Sequence, residues 1–336
     1  MSNREANPRE MVCTAERSER DPADGRAGRV SILTAREVPL GGPRAMTVRR
    51  TLPQRERSFV GAWCFVDHYG PDDVSATGGM DVPPHPHTGL QTVSWLFEGE
   101  IEHRDSHGVH GMVRPGEVNL MTAGAGICHS EVSTPQTSTL HGVQLWVVLP
   151  KTDRGTGRRF ENFAAPLVEV ASGVRARVFV GSLAGQESPV WTATQLVGAE
   201  IHLEAGASWE LPVDPAHEHG LLVDRGAVRF EGVGVPVAEL GVVEAGPDRL
   251  RIEAETPARV LLLGGTPFEE EIVMWWNFIG SDHDEIARFR QEWEEHADRF
   301  GAVEGYEGAT DRLPAPGLPG SRLRPRGREG RGADAR

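Results

Sequence analysis

Short apolar segments separated by turn residues dominate the chain from Arg29 onward. Glycine and proline mark the turns, as in Gly70-Pro71 and Arg114-Pro115-Gly116. Strands at this spacing, with almost no helical periodicity, are typical of a β-sandwich or a β-barrel. In the first half, the predicted strands cover residues 30–34, 45–51, 62–68, 91–98, 117–122 and 142–149.

The second half repeats this rhythm, so the two halves read as two copies of one β-architecture. Its predicted strands cover residues 175–180, 198–203, 221–224, 227–230, 250–252 and 258–263. Residues 151–166 are polar and basic and predict a linker. We therefore expect one domain at residues 29–150 and a second at 167–306. Residues 1–28 and 307–336 are predicted to be disordered tails, the second of them basic.

One segment, residues 282–300, has the period of an amphipathic helix. Ser281 can cap it, and Asp284 three residues later completes a variant of the capping box. We expect this helix to pack against a sheet, with binding of a partner as the alternative. Its apolar face would consist of Ile286, Phe289, Trp293, Ala297 and Phe300.

Composition excludes several classes of protein. With only three cysteines (Cys13, Cys64 and Cys128), the chain is neither a disulfide scaffold nor a four-thiolate zinc protein, and it suits a reducing cytosol. No apolar run approaches the ~18 residues of a membrane span. The N-terminus has no apolar signal-peptide region. We therefore expect a cytoplasmic protein without a membrane partner.

The charge distribution is uneven. The net charge is −14, yet residues 312–336 contain seven arginines and only two acidic residues. An acidic body disfavours direct binding of nucleic acid. The basic tail is read as solvated and disordered, with contact to an anionic partner as the alternative.

Two pairs of residues carry the most specific chemistry. His85 and His87 flank Pro86, and His129 and Glu131 flank Ser130. In a strand, residues i and i+2 project from one face, so each pair presents two ligand atoms to the same side. If both segments face each other inside a barrel, three imidazoles and a carboxylate converge. That set suits a divalent ion of iron, manganese, nickel, copper or zinc.

The flanking sequence resembles the pirin family, a branch of the bicupins. Gly79, His85 and His87 match the first half of the first cupin motif, and the resemblance extends over residues 30–306. It rests on residues 65–71 (FVDHYGP), 85–92 (HPHTGLQT), 97–108 (FEGEIEHRDSHG), 121–131 (MTAGAGICHSE) and 261–280 (LLLGGTPFEEEIVMWWNFIG).

The resemblance implies an all-β fold of two cupin-type barrels with a C-terminal α-helix. It also implies one metal in the first barrel, usually iron, with His85, His87, His129 and Glu131 as ligands. The family generally has Glu where this chain has Gln91, which puts any acid–base role of that position in doubt. The second pair of this kind, His217 and His219, is expected to lie in an exposed loop, with a second metal site as the alternative.

Two functions follow from the resemblance. The first is a metal-dependent dioxygenase of small aromatic substrates, of the quercetin 2,3-dioxygenase type, with Glu131 handling protons. The second is a regulatory protein that binds a transcription factor or an enzyme and responds to the oxidation state of its iron. A metal-free structural bicupin is the third reading.

Other polar residues are predicted to be structural. His103, His107 and His110 are expected in a surface loop, with a place at the pocket mouth as the alternative. His68 is expected to organise a turn. The thiol of Cys128 should point away from His129 and pack against apolar groups, with redox sensing as the alternative.

Overall fold

The structure, a computed structural model, describes residues 30–39 and 46–328. Within them the chain is all-β with one α-helix, as the sequence predicts, and no helix there is long and apolar enough to cross a membrane. The first twelve strands are β1 (Val30–Leu33), β2 (Arg36–Pro39), β3 (Thr47–Leu52), β4 (Trp63–Asp73), β5 (Asp81–His87), β6 (Leu90–Glu98), β7 (Ile101–Asp105), β8 (His110–Val113), β9 (Glu117–Thr122), β10 (Ile127–Ser133), β11 (Thr139–Val148) and β12 (Arg159–Ala164).

The second half of the chain contains the remaining strands and the helix. They are β13 (Val168–Ala171), β14 (Val174–Val180), β15 (Ser182–Leu183), β16 (Gln186–Glu187), β17 (Leu196–Leu203), β18 (Ser208–Pro212), β19 (Glu218–Arg225), β20 (Val228–Phe230), β21 (Val233–Val235), β22 (Leu240–Val243), β23 (Arg249–Ala254), β24 (Ala258–Gly265), β25 (Val273–Trp275), β26 (Phe278–Gly280) and α1 (His283–Glu294).

The strands form two barrels of the same layout. The first pairs a seven-stranded sheet, in the order β12-β9-β6-β11-β4-β3-β2, with a four-stranded sheet, β5-β10-β7-β8. The second pairs β1-β22-β19-β24-β17-β14-β13 with β18-β23-β20-β21. Chain order therefore makes β18 the counterpart of β5 and β23 the counterpart of β10. The duplication inferred from the sequence rhythm is confirmed.

The domain boundaries differ from the sequence prediction in two places. The predicted linker at 151–166 contains β12, which pairs along its length with β9 of the first barrel. An edge strand with largely exposed side chains is polar in sequence, which is why it read as a linker. At the other end, β1 pairs with β22 of the second barrel, although it lies in the segment predicted for the first.

The C-terminal helix is shorter than predicted. It ends at Glu294, and the backbone of His296 turns to a positive φ of 58° just beyond. Its N-cap is Asp282, not Ser281, because the Asp282 side chain accepts a hydrogen bond from the Glu285 amide at 2.9 Å. Phe300 lies beyond the helix but is still buried.

The C-terminal segment crosses from the second barrel to cover the outer face of β5 and β10 in the first. Phe278 forms a bridge with Thr88, and the Leu313 amide donates to the Pro84 carbonyl at 2.9 Å. The helix face joins Val82 and Cys128 in one apolar cluster. The helix thus packs on the sheet that contains both ligand-bearing strands.

The predicted disorder of residues 307–336 is wrong for the part that the structure describes. Leu313 and Ala315 are buried, and Arg326 exchanges two backbone hydrogen bonds with Ile272. Proline and glycine prevent regular helix or strand here, but they do not prevent a segment from packing against apolar neighbours. Residues 329–336, like the predicted tail at 1–28, lie outside the described residues.

The two seven-stranded sheets pack against each other. Trp95 of β6 stacks on Phe179 of β14 with ring centroids 4.6 Å apart, and the Trp63 indole donates to the Gly264 carbonyl at 3.1 Å. On β6, Trp95 and its i−2 and i−4 neighbours therefore face the second barrel, while Ser94 faces the interior of the first.

Candidate metal centre

The two ligand-bearing segments are neighbouring antiparallel strands. In the register of β5 and β10, His85 lies opposite His129 and His87 lies opposite Ile127. A shift in register between His129 and Glu131 marks a bulge beside the site. Strand pairing thus brings together side chains more than forty residues apart in the sequence.

Three histidines converge on one point. Ligand nitrogens of His85, His87 and His129 all lie within 4.8 Å of one another. The Nε2 atoms of His87 and His129 are 3.0 Å apart, and all three side chains are wholly buried. Two nitrogens that bind one ion at about 2.1 Å and a right angle are separated by roughly that distance.

A hydrogen bond at the other ring nitrogen leaves the metal-facing nitrogen of His85 free. His85 Nδ1 donates to the Pro83 carbonyl at 2.9 Å, so its Nε2 carries the lone pair. That Nε2 is buried and has no hydrogen-bond partner among the described residues. An orphaned buried acceptor of this kind fits a bound metal ion.

The protonation states also suit metal binding. Burial, reinforced by the neighbouring imidazoles, holds the pKa of His85 and of His129 well below the usual value, and burial does the same for His87. The three imidazoles are therefore neutral near pH 7. Neutral imidazole is the form that binds metal.

Glu131 belongs to a second group that overlaps the first. Ligand atoms of His103, His129 and Glu131 lie within 4.8 Å of one another, and all three residues are buried. The structure therefore brings the fourth predicted ligand next to His129. No group of ligand atoms within 4.8 Å of one another contains Glu131 together with His85 and His87 among the described residues.

His103 corrects the prediction of a surface loop, because it is buried on β7 and faces the site. Its Nε2 donates to Asp105 at 3.2 Å, and its Nδ1 lies 3.4 Å from His129 Nδ1. This series of hydrogen bonds, from Asp105 through His103 to His129, places the His129 proton on Nδ1 and leaves Nε2 for a metal. Ile101, His103 and Asp105 are buried at alternate positions of β7, but no apolar alternation marks this segment in the sequence.

Asp105, the last member of this series of hydrogen bonds, is held as an anion. Burial opposes its ionisation, but the hydrogen bond from His103 and those from the backbone amides of His107 and Val109 keep its pKa below the usual value. The two amide contacts measure 2.8 and 3.1 Å. A fixed carboxylate in turn fixes the orientation of His103.

Polar groups of β6 and β11 surround Glu131 inside the barrel. The Ser94 hydroxyl lies 3.2 Å from a Glu131 oxygen and 3.0 Å from the Gln144 side-chain oxygen. One hydroxyl proton can go to only one of them, so Ser94 can switch its donor bond. The carboxylate thus has a neutral partner that can follow a change in its charge.

Gln91 lies on the opposite face of β6 from Ser94. Its amide donates to the Thr122 hydroxyl at 2.9 Å and to the Trp191 carbonyl at 3.0 Å. The residue at this position therefore packs towards the second half of the chain and not into the metal centre. The absence of the usual Glu does not remove a carboxylate from the site.

Cys128 points away from His129, as strand alternation predicts. Its sulfur lies 3.5 Å from the Gly301 carbonyl, beneath the C-terminal segment. Burial raises the pKa of this thiol to about 11, so it is protonated near pH 7. A protonated, covered thiol is a poor nucleophile.

A third group of possible ligands joins the two barrels. His68 of β4, His141 of β11 and Asp224 of β19 lie together, and all are buried. Arg259 donates to the second oxygen of Asp224 at 2.8 Å, so a fixed cation already neutralises the carboxylate. His68 lies within a strand and not at the turn that the sequence predicted.

Comparisons with known proteins agree with this architecture. The family model described as Pirin matches residues 45–147, and the one described as Pirin C-terminal cupin domain matches residues 198–301. A Pseudomonas aeruginosa protein that carries a provisional name as a quercetin 2,3-dioxygenase is 43% identical over 85% of this chain and 90% of its own length.

Two further relatives cover most of the chain. A Caulobacter vibrioides protein named as pirin-like is 34% identical over 78% of this chain and 92% of its own. The crystal structure of a quercetin 2,3-dioxygenase from Acinetobacter baumannii superimposes with a TM-score of 0.84 at 37% identity. That match covers 90% of this chain and 99% of the other.

Proposed function

The chain belongs to the pirin family, and from this premise we propose that it is an iron-dependent dioxygenase of flavonols or related phenols. The observation that supports this proposal most is the group of three buried, neutral histidines on β5 and β10. Relatives named as quercetin 2,3-dioxygenases suggest the substrate class. Iron is proposed because the family usually contains it; manganese, nickel, copper and zinc fit the same donor set.

We propose His85, His87, His129 and Glu131 as the metal ligands. The hydrogen bonds of His85 and His129 leave their Nε2 atoms unprotonated, and a ligand atom of Glu131 lies within 4.8 Å of one of His129. When bound, a divalent iron supplies the Lewis acidity that eases deprotonation of a phenol and the redox chemistry that a reaction with dioxygen requires.

Glu131 is the proposed proton acceptor for the phenolic hydroxyl. It is the carboxylate of the predicted ligand set, and Ser94 can turn its hydroxyl proton toward it or away from it. Glu131→Gln keeps the size of the side chain and removes its basicity. We therefore expect this variant to lose turnover even where some metal is retained. Glu131→Ala should lose both the turnover and the bound metal.

Turnover of a flavonol tests the proposal. The purified chain is loaded without oxygen with Fe(II) and, separately, with Mn, Ni, Cu or Zn. Quercetin absorbance and dissolved oxygen are then followed together. We expect quercetin and oxygen to be consumed in matching amounts with at least one metal. The His129→Ala variant should consume neither. No consumption with any of the five metals would refute the dioxygenase proposal.

Burial of the centre supports the regulatory alternative. The three histidines have no exposed surface, and the C-terminal segment covers the outer face of the strands that bear them. For such a switch, amide exchange in residues 273–301 should differ between the Fe(II) and Fe(III) forms. Binding of a protein partner should also be lost in His85→Ala, with no activity on phenols.

A further inference from the structure

A cavity of about 470 Å³ opens in the second barrel, among residues that the metal centre does not use. The hairpin β15–β16 forms one side, and Val197, residues 212–214 and His219 form the rest. This volume lies in the range of pockets for small molecules.

The side-chain amide of Gln186 supplies an unsatisfied donor and an unsatisfied acceptor. Its Nε2 and its Oε1 are both buried, and neither has a hydrogen-bond partner within residues 30–39 and 46–328. Leaving such a group unpaired is costly, so a bound molecule that offers one acceptor beside one donor would stabilise it.

A tight turn fixes the backbone next to Gln186. Ala184 and Gly185, between the two strands of the hairpin, both have positive φ, 50° and 77°. A two-residue turn with two positive φ values is the type that matches the twist of a hairpin. Alanine rarely adopts this conformation, and such strain clusters at binding sites.

His219 adds a second neutral polar group. It lies in β19, not in the exposed loop that the sequence predicted, and it is 2% exposed and lines the cavity. Burial and the nearby His217 hold its pKa at about 4. Near pH 7 it offers one N–H donor and one nitrogen acceptor.

The remaining lining selects against anions. Leu183, Val197 and Val213 provide apolar surface, while the other ionisable lining residues are the carboxylates Glu187 and Asp214. A negatively charged ligand would be repelled by both. An uncharged ring with polar groups at its edge avoids this repulsion and can still use the apolar surface and the Gln186 amide.

We propose that this cavity binds an uncharged ring compound with a hydrogen-bond donor next to an acceptor, the chemistry that catechol shares with the cyclic amide 2-pyridone. On binding, rotation of the Gln186 side chain brings its unpaired amide to the polar edge of the ligand, beside the neutral His219, and the apolar wall meets the ring. This binding site is independent of the metal centre and of the dioxygenase proposal.

Calorimetric titration at pH 7 tests the site with three probes: catechol, 2-pyridone and benzoate. Both the full chain and its His87→Ala variant are titrated. The comparison separates binding at the first barrel, which the variant changes, from binding at the second. We expect catechol or 2-pyridone to bind both proteins equally and benzoate to bind at least about tenfold more weakly. Catechol alone would identify a phenol site, and 2-pyridone alone a cyclic-amide site.

Variants of the cavity complete the test. Gln186→Ala should weaken binding about tenfold, which corresponds to one or two lost hydrogen bonds, and Val197→Trp should fill the cavity and abolish binding. Gln291→Ala, on the exposed side of α1, is the matched control and should change nothing. Unchanged affinity in Gln186→Ala, loss of binding in His87→Ala, or no binding of either neutral ring would each overturn the proposal. If Val197→Trp does not fold, Gln186→Ala decides alone.

Discussion

The two barrels share a strand layout and differ in what their small sheets contain. In the first barrel, β5 and β10 place His85, His87 and His129 together. In the second, the equivalent β18 and β23 place large apolar side chains in the interior: Trp209, Leu211, Leu250 and Ile252. The same architecture thus encloses a polar centre in one copy and an apolar core in the other, because the site depends on a few side chains and not on the fold.

The outer faces of these sheets differ as well. Every residue of β5 is buried, because the C-terminal segment covers its outer face. β18 instead alternates between exposed and buried positions, with its outer face open to solvent. The last part of the chain is therefore used to enclose the barrel that holds the candidate metal centre.

The strongest test of how the barrels are joined removes the charge of Asp224. Burial opposes its ionisation, but His141, His68 and Arg259 hold its pKa far below the usual value. Asp224→Asn leaves Arg259 buried without its counter-ion. We expect the free energy of unfolding to fall by about 3–5 kcal/mol, measured by urea denaturation.

Glu255→Gln is the matched control, because Glu255 pairs with Arg229 where both are exposed. Its effect should be within about 1 kcal/mol. If Asp224→Asn is as mild as this control, the cluster does not hold the barrels together.

Acid should destabilise the second barrel through His219. Its pKa is about 4 in the folded chain against about 6.5 for an unfolded histidine. The unfolded chain therefore binds a proton first, and stability is lost as the pH falls from about 6.5 to 4, by at most ~3 kcal/mol. His219→Gln should remove this component, as seen in unfolding curves from pH 7 to 4. An identical pH dependence in this variant would contradict the assignment.

The series of hydrogen bonds from Asp105 through His103 to His129 should set the affinity for metal. Asp105→Ala frees His103 to rotate and to change tautomer, so we expect metal to bind about 10- to 100-fold more weakly. Asp105→Asn should be intermediate, because its amide oxygen can still accept from His103. Competition with a chelator measures the affinity, and Asp214→Ala in the second barrel should leave it unchanged.

The smallest expected effect on the metal is at Gln91. Gln91→Met removes hydrogen bonds to Thr122 and Trp191 and should reduce the free energy of unfolding by about 1 kcal/mol. Metal content should not change, because the side chain lies on the other face of β6. Loss of metal in this variant would show that the residue does act on the centre.

Much of the fold was predictable because each strand and the turns beside it can be recognised from neighbouring residues in the sequence. The pairs at His85–His87 and His129–Glu131 were predictable because strand alternation is a local property. Three features were not local: the pairing of β1 with the second barrel, the pairing of β12 with β9, and the return of residues 273–323 to the first barrel. Each depends on which surface is left uncovered, which only the assembled sheets determine.

The role of His103 shows the same limit. Its sequence, Glu102-His103-Arg104-Asp105, is charged and reads as a loop. Its burial follows from the place of β7 beside β10, where His103 lies opposite Glu131. The neighbouring strand, and not the local sequence, makes it part of the site.

Elemental analysis of the metal-loaded chain tests the central claim most directly. The account predicts about one divalent ion per wild-type chain, a large loss in both His87→Ala and Glu131→Ala, and full retention in His219→Ala. Equal metal content in the wild type and both first-barrel variants, or loss of metal in His219→Ala, would contradict a single centre in the first barrel.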